Sequence, residues 1–493
     1  MRNIKYFTIL AAVAATIITS CNGFLDMQPS NSSNAANAMS TPEDAQVIIN
    51  GIMRAMTSSD YYGRNFIMYG DAKGGDLTIY SSGRGLDALY SFNHTATSGS
   101  YSGFWETGYY CIMQINNLLE NIDKLEKGGS TGFSFYKGQA LTLRALIYFD
   151  LVRVYSLPYN YEKDSYGVPD ITTTLEAKAK PGRATVKENY ARIISDLTEA
   201  EPLLAEDKSP RMGYIGYYAN IAEQARVKLY MENYEGALAD AKTIIEDKAY
   251  SLYTPDEWVD SWKKQFGSES IFELGIDPIA DLGTASLGFY LMRYGQINGA
   301  QGWFLASDYF LNRLGEDKND VRWGVMDNDE SVKDTGTERR GACYKYLGST
   351  DLSGDGKETY TAVNIKVIRL SEIYLIAAEA ELHAANPDKA QAAIYLNAIR
   401  KRSPDLAPAT AGTITDDMIL NERSKELFCE GQRFFDMIRM NKTIEYNDDF
   451  KDVPVSTREK TIDRTFGKIV LPIPQDEINA NQIIASEQNE AYK

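Results

Sequence analysis

Glu422, Glu426, Glu430 and Arg433 stand at i, i+4, i+8 and i+11, a spacing that lines them along one helix face. Paired carboxylates are the groups from which general acid/base chemistry is built, glycoside hydrolysis included. The opposite face of the same stretch carries Leu420, Leu427, Phe434, Phe435 and Ile438, as a core-facing amphipathic helix requires. Arg423, Arg433 and Arg439 lie where they neutralise the acids, so the block reads as a structural ion network. Arg144, Asp150 and Arg153 read the same way. Histidine adds little: only His94 and His383 occur, which excludes a His-rich metal site and leaves a Ser-His-Asp triad two possible bases. Asp351-Leu352-Ser353-Gly354-Asp355-Gly356-Lys357-Glu358 has the texture of a calcium loop. Ala362 nevertheless occupies the last position, where an EF-hand needs a bidentate Glu, so a Gly-rich turn is the better reading. No metal and no cofactor are expected.

Binding chemistry is better represented. A neutral sugar offers an apolar C–H face that stacks on an aromatic ring, and hydroxyls that pair with amides, carboxylates and guanidinium groups. Gln296-Ile297-Asn298-Gly299-Ala300-Gln301-Gly302-Trp303 supplies three amides and a Trp in one short run, with Tyr290 and Tyr294 just before it. The expected ligand-binding residues are therefore Trp303 first, then Tyr294, Asn298 and Gln301. Tyr80, Arg84, Asp71 and Tyr62 join them from a second aromatic-rich segment. Trp105, with Tyr109 and Ile112 behind it, reads as core.

The elements that must position these groups are helical. Thr41-Pro42-Glu43-Asp44 predicts a capped helix start, and helical periodicity follows to Met56. Further helices are predicted over 106–126, 137–155, 187–204, 216–247 and 369–402. An offset of 153 residues lays Asn233-Tyr234-Glu235-Gly236-Ala237 over Asn386-Pro387-Asp388-Lys389-Ala390, Ala225 over Ala378 and Leu229 over Leu382. Small residues twelve apart around a turn are the spacing of a tetratricopeptide helix hairpin, so a helical-repeat scaffold is expected. From about Ser251 to Ile365, and from Thr57 to Tyr101, Gly, Asp, Asn, Tyr and Trp dominate and long helices disappear. Irregular stretches of that length in a compact protein are usually functional.

The chain of 493 residues carries a formal charge of −17 with pI near 4.8, which argues against a nucleic-acid partner. At its start, Arg2 and Lys5 precede an apolar run from Tyr6 to Ile18 and then Ile18-Thr19-Ser20-Cys21, the pattern of an export signal. The placement of Cys21 matches the bacterial lipoprotein signal, so a lipid anchor on Cys21 is expected, with an ordinary secreted protein as the alternative. Cys111, Cys343 and Cys429 remain, an odd number that does not suggest a disulfide framework. Cys111 and Cys429 fall inside helical patterns, where cysteine packs as a small hydrophobe.

Val367-Ile368-Arg369-Leu370-Ser371-Glu372-Ile373-Tyr374-Leu375-Ile376-Ala377-Ala378-Glu379-Ala380 resembles the most recognisable helix of the SusD/RagB family. Asn397-Ala398-Ile399-Arg400-Lys401-Arg402, the block from Glu422 to Arg439, Leu471-Pro472-Ile473-Pro474 and Leu143 to Tyr155 resemble the family in the same order, as does Phe24-Leu25-Asp26. The departure is small: Glu490-Ala491-Tyr492 replaces the usual Pro-Gly-Tyr. The resemblance implies a mostly α fold, with a tetratricopeptide-like scaffold and a large irregular, loop-rich ligand-binding half. It implies a signal peptide over 1–20, an N-terminal region over 21–250 and a C-terminal region over 251–493. It implies a lipoprotein on the extracellular face of the outer membrane that is not an enzyme. Such a protein binds oligosaccharides and delivers them to a SusC-like TonB-dependent transporter. A peptide-binding importer of the same family, and a surface glycosidase, are the alternatives.

Overall fold

The computed structural model describes residues 39–80, 87–276, 282–293, 300–329, 339–348, 362–446 and 459–493, apart from the side chains of 87, 89 and 99–102. The longer helices are α1 (Pro42–Met56), α2 (Asn65–Ala72), α3 (Gly99–Lys127), α4 (Ser134–Tyr155), α5 (Val186–Leu204), α6 (Tyr217–Tyr230), α7 (Tyr234–Asp247), α8 (Leu370–His383), α9 (Lys389–Arg400), α10 (Asp416–Glu426) and α11 (Arg433–Arg439). Strands are short and pair only in twos among the described residues. β1 (Leu77–Ile79) runs antiparallel to β3 (Phe304–Ala306), and β2 (Ser270–Leu274) to β4 (Ile365–Arg369). The molecule is mostly α. None of its described helices is long and apolar enough to cross a membrane.

Local chemistry starts these helices where the sequence predicts. Thr41 accepts from the Asp44 N–H at 3.2 Å while Asp44 Oδ2 accepts from the Thr41 N–H at 2.9 Å, a reciprocal cap with Pro42 in the first turn. Thr185 and Glu188 cap α5 in the same way. Helix α4 is the longest run of buried helix, with every residue from Gly138 to Tyr155 buried, as are all residues of the shorter α2 and α11. A helix buried all round carries no amphipathic stripe, and α1, α3, α5 and α6 pack around α4. Its ionic groups therefore find partners inside: Arg144 Nε donates to Asp196 at 2.7 Å, and Arg153 donates to Asp150.

The two hairpins repeat closely. Shifted by 153 residues, the bounds of α6 fall on those of α8, and the end of α7 falls on that of α9. Ala225 and Ala378 are fully buried at equivalent positions, and both α6 and α7 pack against α8, so hairpins from the two halves share one stack. The match slips at the fourth helix. Asn233 caps α7, whereas Asp388 caps α9 two residues later than the offset requires, so Ala390 is exposed and Ala392 and Ala393 are buried instead.

One helical expectation changes, and the placement of Cys429 inside a helix changes with it. The stretch 422–439 is not one helix: α10 ends at Glu426, a turn follows, and α11 begins at Arg433. Cys429 lies in that turn at φ +61 and Gly431 at φ +81, backbone that an α-helix cannot accommodate. The cause is close packing, since a Cβ at Gly70 of α2 would lie 2.1 Å from the Gly431 carbonyl oxygen. The turn seats that carbonyl against α2.

Candidate functional site

The end of the β1–β3 ladder gathers the aromatic groups. Register pairs Ile79 with Phe304, and one residue further the Tyr80 N–H donates to the Trp303 carbonyl at 2.6 Å. The neighbouring helix Leu287–Leu291 fixes the other side of this seam. Its Phe289 carbonyl accepts from the Gln301 N–H at 2.6 Å and the Gly302 N–H at 3.1 Å, and its Tyr290 carbonyl accepts from the Trp303 N–H at 2.9 Å. Gly302 sits at φ +53, and a Cβ there would lie 2.5 Å from Arg293 Cδ, so this bend requires glycine.

Two guanidinium–tyrosine stacks flank the seam. Arg293 lies over the Tyr80 ring with 3.9 Å to the centroid and donates to the Gly302 carbonyl at 3.2 Å. Arg64 lies over the Tyr290 ring at 4.8 Å and donates to its hydroxyl at 3.3 Å and to the Ala285 carbonyl at 3.0 Å. Trp303 meets Tyr290 edge-on, with centroids 5.0 Å apart at 78°. Tyr80, Tyr290, Arg64 and Gln301 are half-buried, whereas Trp303 is 5% exposed. The partly open surface is thus tyrosine, guanidinium and amide, held from beneath by the indole. Such a surface stacks and hydrogen-bonds, and among the described residues it pairs no nucleophile with a base.

Residues 287–492 match the profile of the SusD family, and residues 23–229 match a second profile described as "Starch-binding associating with outer membrane". A SusD superfamily protein from Bacteroides thetaiotaomicron superposes with TM-score 0.82 at 32% identity, covering 91% of this chain and 100% of that one. The chain belongs to the SusD family. It is also 25% identical over 488 residues to SusD-like protein P38 of Formosa agariphila, covering 89% of this chain and 92% of that protein. Starch-binding protein SusD of Bacteroides thetaiotaomicron is 31% identical over 145 residues, 28% of this chain and 24% of its own length.

In this SusD-family chain the sequence candidates separate into three groups. Tyr80, Gln301 and Trp303 come together at the seam, though Trp303 backs Tyr290 and does not offer a stacking face of its own. Tyr294, Asn298, Arg84 and Cys21 lie outside the described residues, as does the segment Asp351–Glu358. Tyr62 and Asp71 are interior and correct the expectation that they face a ligand. Tyr62 is 4% exposed and donates to Asp150 at 2.8 Å, and Asp71 is 1% exposed and accepts from the Gly431 N–H. Burial pushes the Asp71 carboxyl well above the usual carboxylate range. Arg64 and Arg293, absent from the sequence candidates, carried no signal beyond their proximity to aromatic residues.

The carboxylate block is a buried ion network with different partners from those expected. Arg369, at the end of β4, binds both Glu430 oxygens at 2.8 Å, Glu426 at 3.1 Å and Glu269 at 3.0 Å. Arg322 binds Asp320 at 2.7 Å and Glu422 at 2.7 Å, while Lys345 reaches Glu430 at 2.9 Å. Arg423 and Arg433 turn instead to Asp436 and Asp76, and Arg439 to Glu379 and Asp436. Burial opposes ionisation of Glu426, but Arg402, Arg369 and Arg322 outweigh it and hold the carboxyl far below its ordinary range.

His94 is buried at 1% exposure and tied at both nitrogens. Lys73 Nζ lies 2.7 Å from Nε2 and the Tyr492 hydroxyl 2.7 Å from Nδ1. Burial, reinforced by the Lys73 ammonium, holds the imidazole neutral. An ammonium can only donate, so Nε2 accepts from Lys73, Nδ1–H donates to Tyr492, and Tyr492 donates to the Val470 carbonyl at 2.9 Å. That relay fastens the chain's C-terminal turn to the core. Among the described residues no group of three or more His, Cys, Asp or Glu is arranged to hold a metal ion.

Proposed function

We propose that this protein is a non-catalytic glycan-binding lipoprotein of the outer membrane, anchored through Cys21 after removal of residues 1–20 and exposed on the extracellular face. It hands captured oligosaccharide to a SusC-like TonB-dependent transporter. The observation that carries the reading is the half-open surface of Tyr80, Tyr290, Arg64 and Gln301, with the buried Arg293 stacked on Tyr80, in a chain of this family. The outer-membrane and starch-binding description of the profile over residues 23–229, and the starch-binding relative, support the same direction. Burial also supports a non-catalytic role: Glu422 and Glu426, the acids best spaced for hydrolysis, are 0% exposed and ion-paired, out of reach of a glycosidic oxygen.

The test is calorimetric titration of the soluble form beginning after Cys21 with starch and β-glucan oligosaccharides, and with a peptide mixture. Saturable binding of one oligosaccharide class is expected, with no product released on long incubation. Tyr80→Ala and Tyr290→Ala should each weaken it several-fold, the loss of about 0.5–1.5 kcal/mol of aromatic contact. Unchanged affinity in both variants would remove the seam as the site. Saturable binding of peptides alone would replace the glycan by the peptide reading.

A further inference from the structure

Three cysteines lie within the described residues, and the fold separates one from the other two. Cys111, on α3, is buried and its sulfur lies 4.0 Å from the Ile52 carbonyl oxygen. Cys343 and Cys429 meet elsewhere in the core. Both are free thiols in the structure, within electrostatic reach of each other, and they are 2% and 1% exposed. The backbones around them are fastened side by side. Lys345 Nζ donates to the Glu426 carbonyl at 3.0 Å and the Phe428 carbonyl at 2.9 Å, and the Tyr346 hydroxyl donates to the Cys429 carbonyl at 2.7 Å. Cys343 itself is held by the pairing of Ala342–Cys343 with Met326–Asp327.

We propose that Cys343 and Cys429 are joined by a disulfide in the mature protein, tying the irregular half to the turn between α10 and α11. An odd cysteine count argues against this only while Cys111 is treated as equivalent to the other two. The proposal rests on the export reading of the N-terminus and is independent of the glycan-binding one, because envelope compartments sustain disulfides that cytosol does not. The oxidant is the disulfide of an envelope thiol–disulfide carrier, acting while the chain is still open. One cysteine thiolate attacks the carrier, giving a mixed disulfide. The second attacks that cysteine's sulfur, forms the Cys343–Cys429 bond and expels the carrier thiolate. The two thiols lose two protons and two electrons, and the carrier leaves as a dithiol. The closed loop is long, the case in which a cross-link most restricts the unfolded chain.

The experiment alkylates full-length protein from the envelope of the native host, in denaturant and without reductant, and maps its peptides. A Cys343–Cys429 linked peptide is expected, with Cys111 alkylated. The intact mass of the mature form should be two hydrogens below that of the reduced form. Reductant should lower the thermal midpoint by about 5 °C in wild type and in Cys111→Ser, but not in Cys343→Ser. Alkylation of both Cys343 and Cys429 in protein whose N-terminus has been processed at Cys21 would overturn the proposal. Glycan titration of the same sample, with and without reductant, reads the proposed function separately.

Discussion

Arg369 shows how much one buried guanidinium controls. It closes bidentate contacts with Glu430 and also reaches Glu426 and Glu269, all with nearly no exposure. Truncation leaves buried carboxylates without their counter-charge, a loss of about 3–5 kcal/mol. Arg369→Ala should therefore lower the urea midpoint strongly, whereas removal of the surface pair Lys493–Glu490 should cost under about 1 kcal/mol. Similar midpoints for the two variants would contradict the network's structural role. Tyrosine is governed by burial too. Of the 33 tyrosines, Tyr62, expected at the ligand, and its neighbours Tyr61 and Tyr69 are core residues whose hydroxyls bind internal acceptors.

At the scale of elements, the seam depends on one bend. Gly302 at φ +53 lets Arg293 approach both its carbonyl and the Tyr80 ring. Alanine there meets a conformational penalty of about 1–2 kcal/mol and displaces the arginine. Gly302→Ala is expected to reduce both thermal stability and glycan affinity, while Gly412→Ala, with no atom nearer than 3.9 Å to the added Cβ, should change neither. Loss of stability with full retention of affinity would separate the bend from the binding surface. The same scale explains the broken helix. An i, i+4, i+8 row of acids is legible as a helical face, but the seating of Gly431 against Gly70 is a contact between distant segments that periodicity does not carry.

For the whole molecule, buried acids set opposing limbs of a pH profile. Burial pushes Glu223 up to about 7 and Asp240 up to about 6, against the pull of Arg226 and Lys228 respectively. Between the unfolded value near ~4.3 and the folded one, the folded state keeps a proton that the unfolded state has released. Stability from these groups is therefore complete below about pH 4 and is lost as pH rises through 7, by about 3 kcal/mol for Glu223. Asp76, Glu372 and Asp436 act oppositely. Burial disfavours their ionised forms, but Arg433, Arg226 and Arg423 hold their carboxyls below the ordinary range, so their contribution is lost as pH falls through it. Stability should peak near pH ~5. Glu223→Gln should flatten the decline between pH 5 and 8, measured as urea midpoint; an unchanged slope would exclude Glu223 as its source.

The sequence by itself determined most of the long helices, the cap at Thr41, the recurrence of the helix hairpin and the family. These follow from local propensity and periodicity, which neighbouring residues encode. It also marked the segments that meet at the seam, through their composition. Only the tertiary structure decided which aromatic residues keep surface open to solvent, which arginine answers which acid, and that the segments of Cys343 and Cys429 run side by side. Burial, ion pairing and the meeting of distant segments depend on groups far apart in the chain, and close packing selects them after the helices have formed.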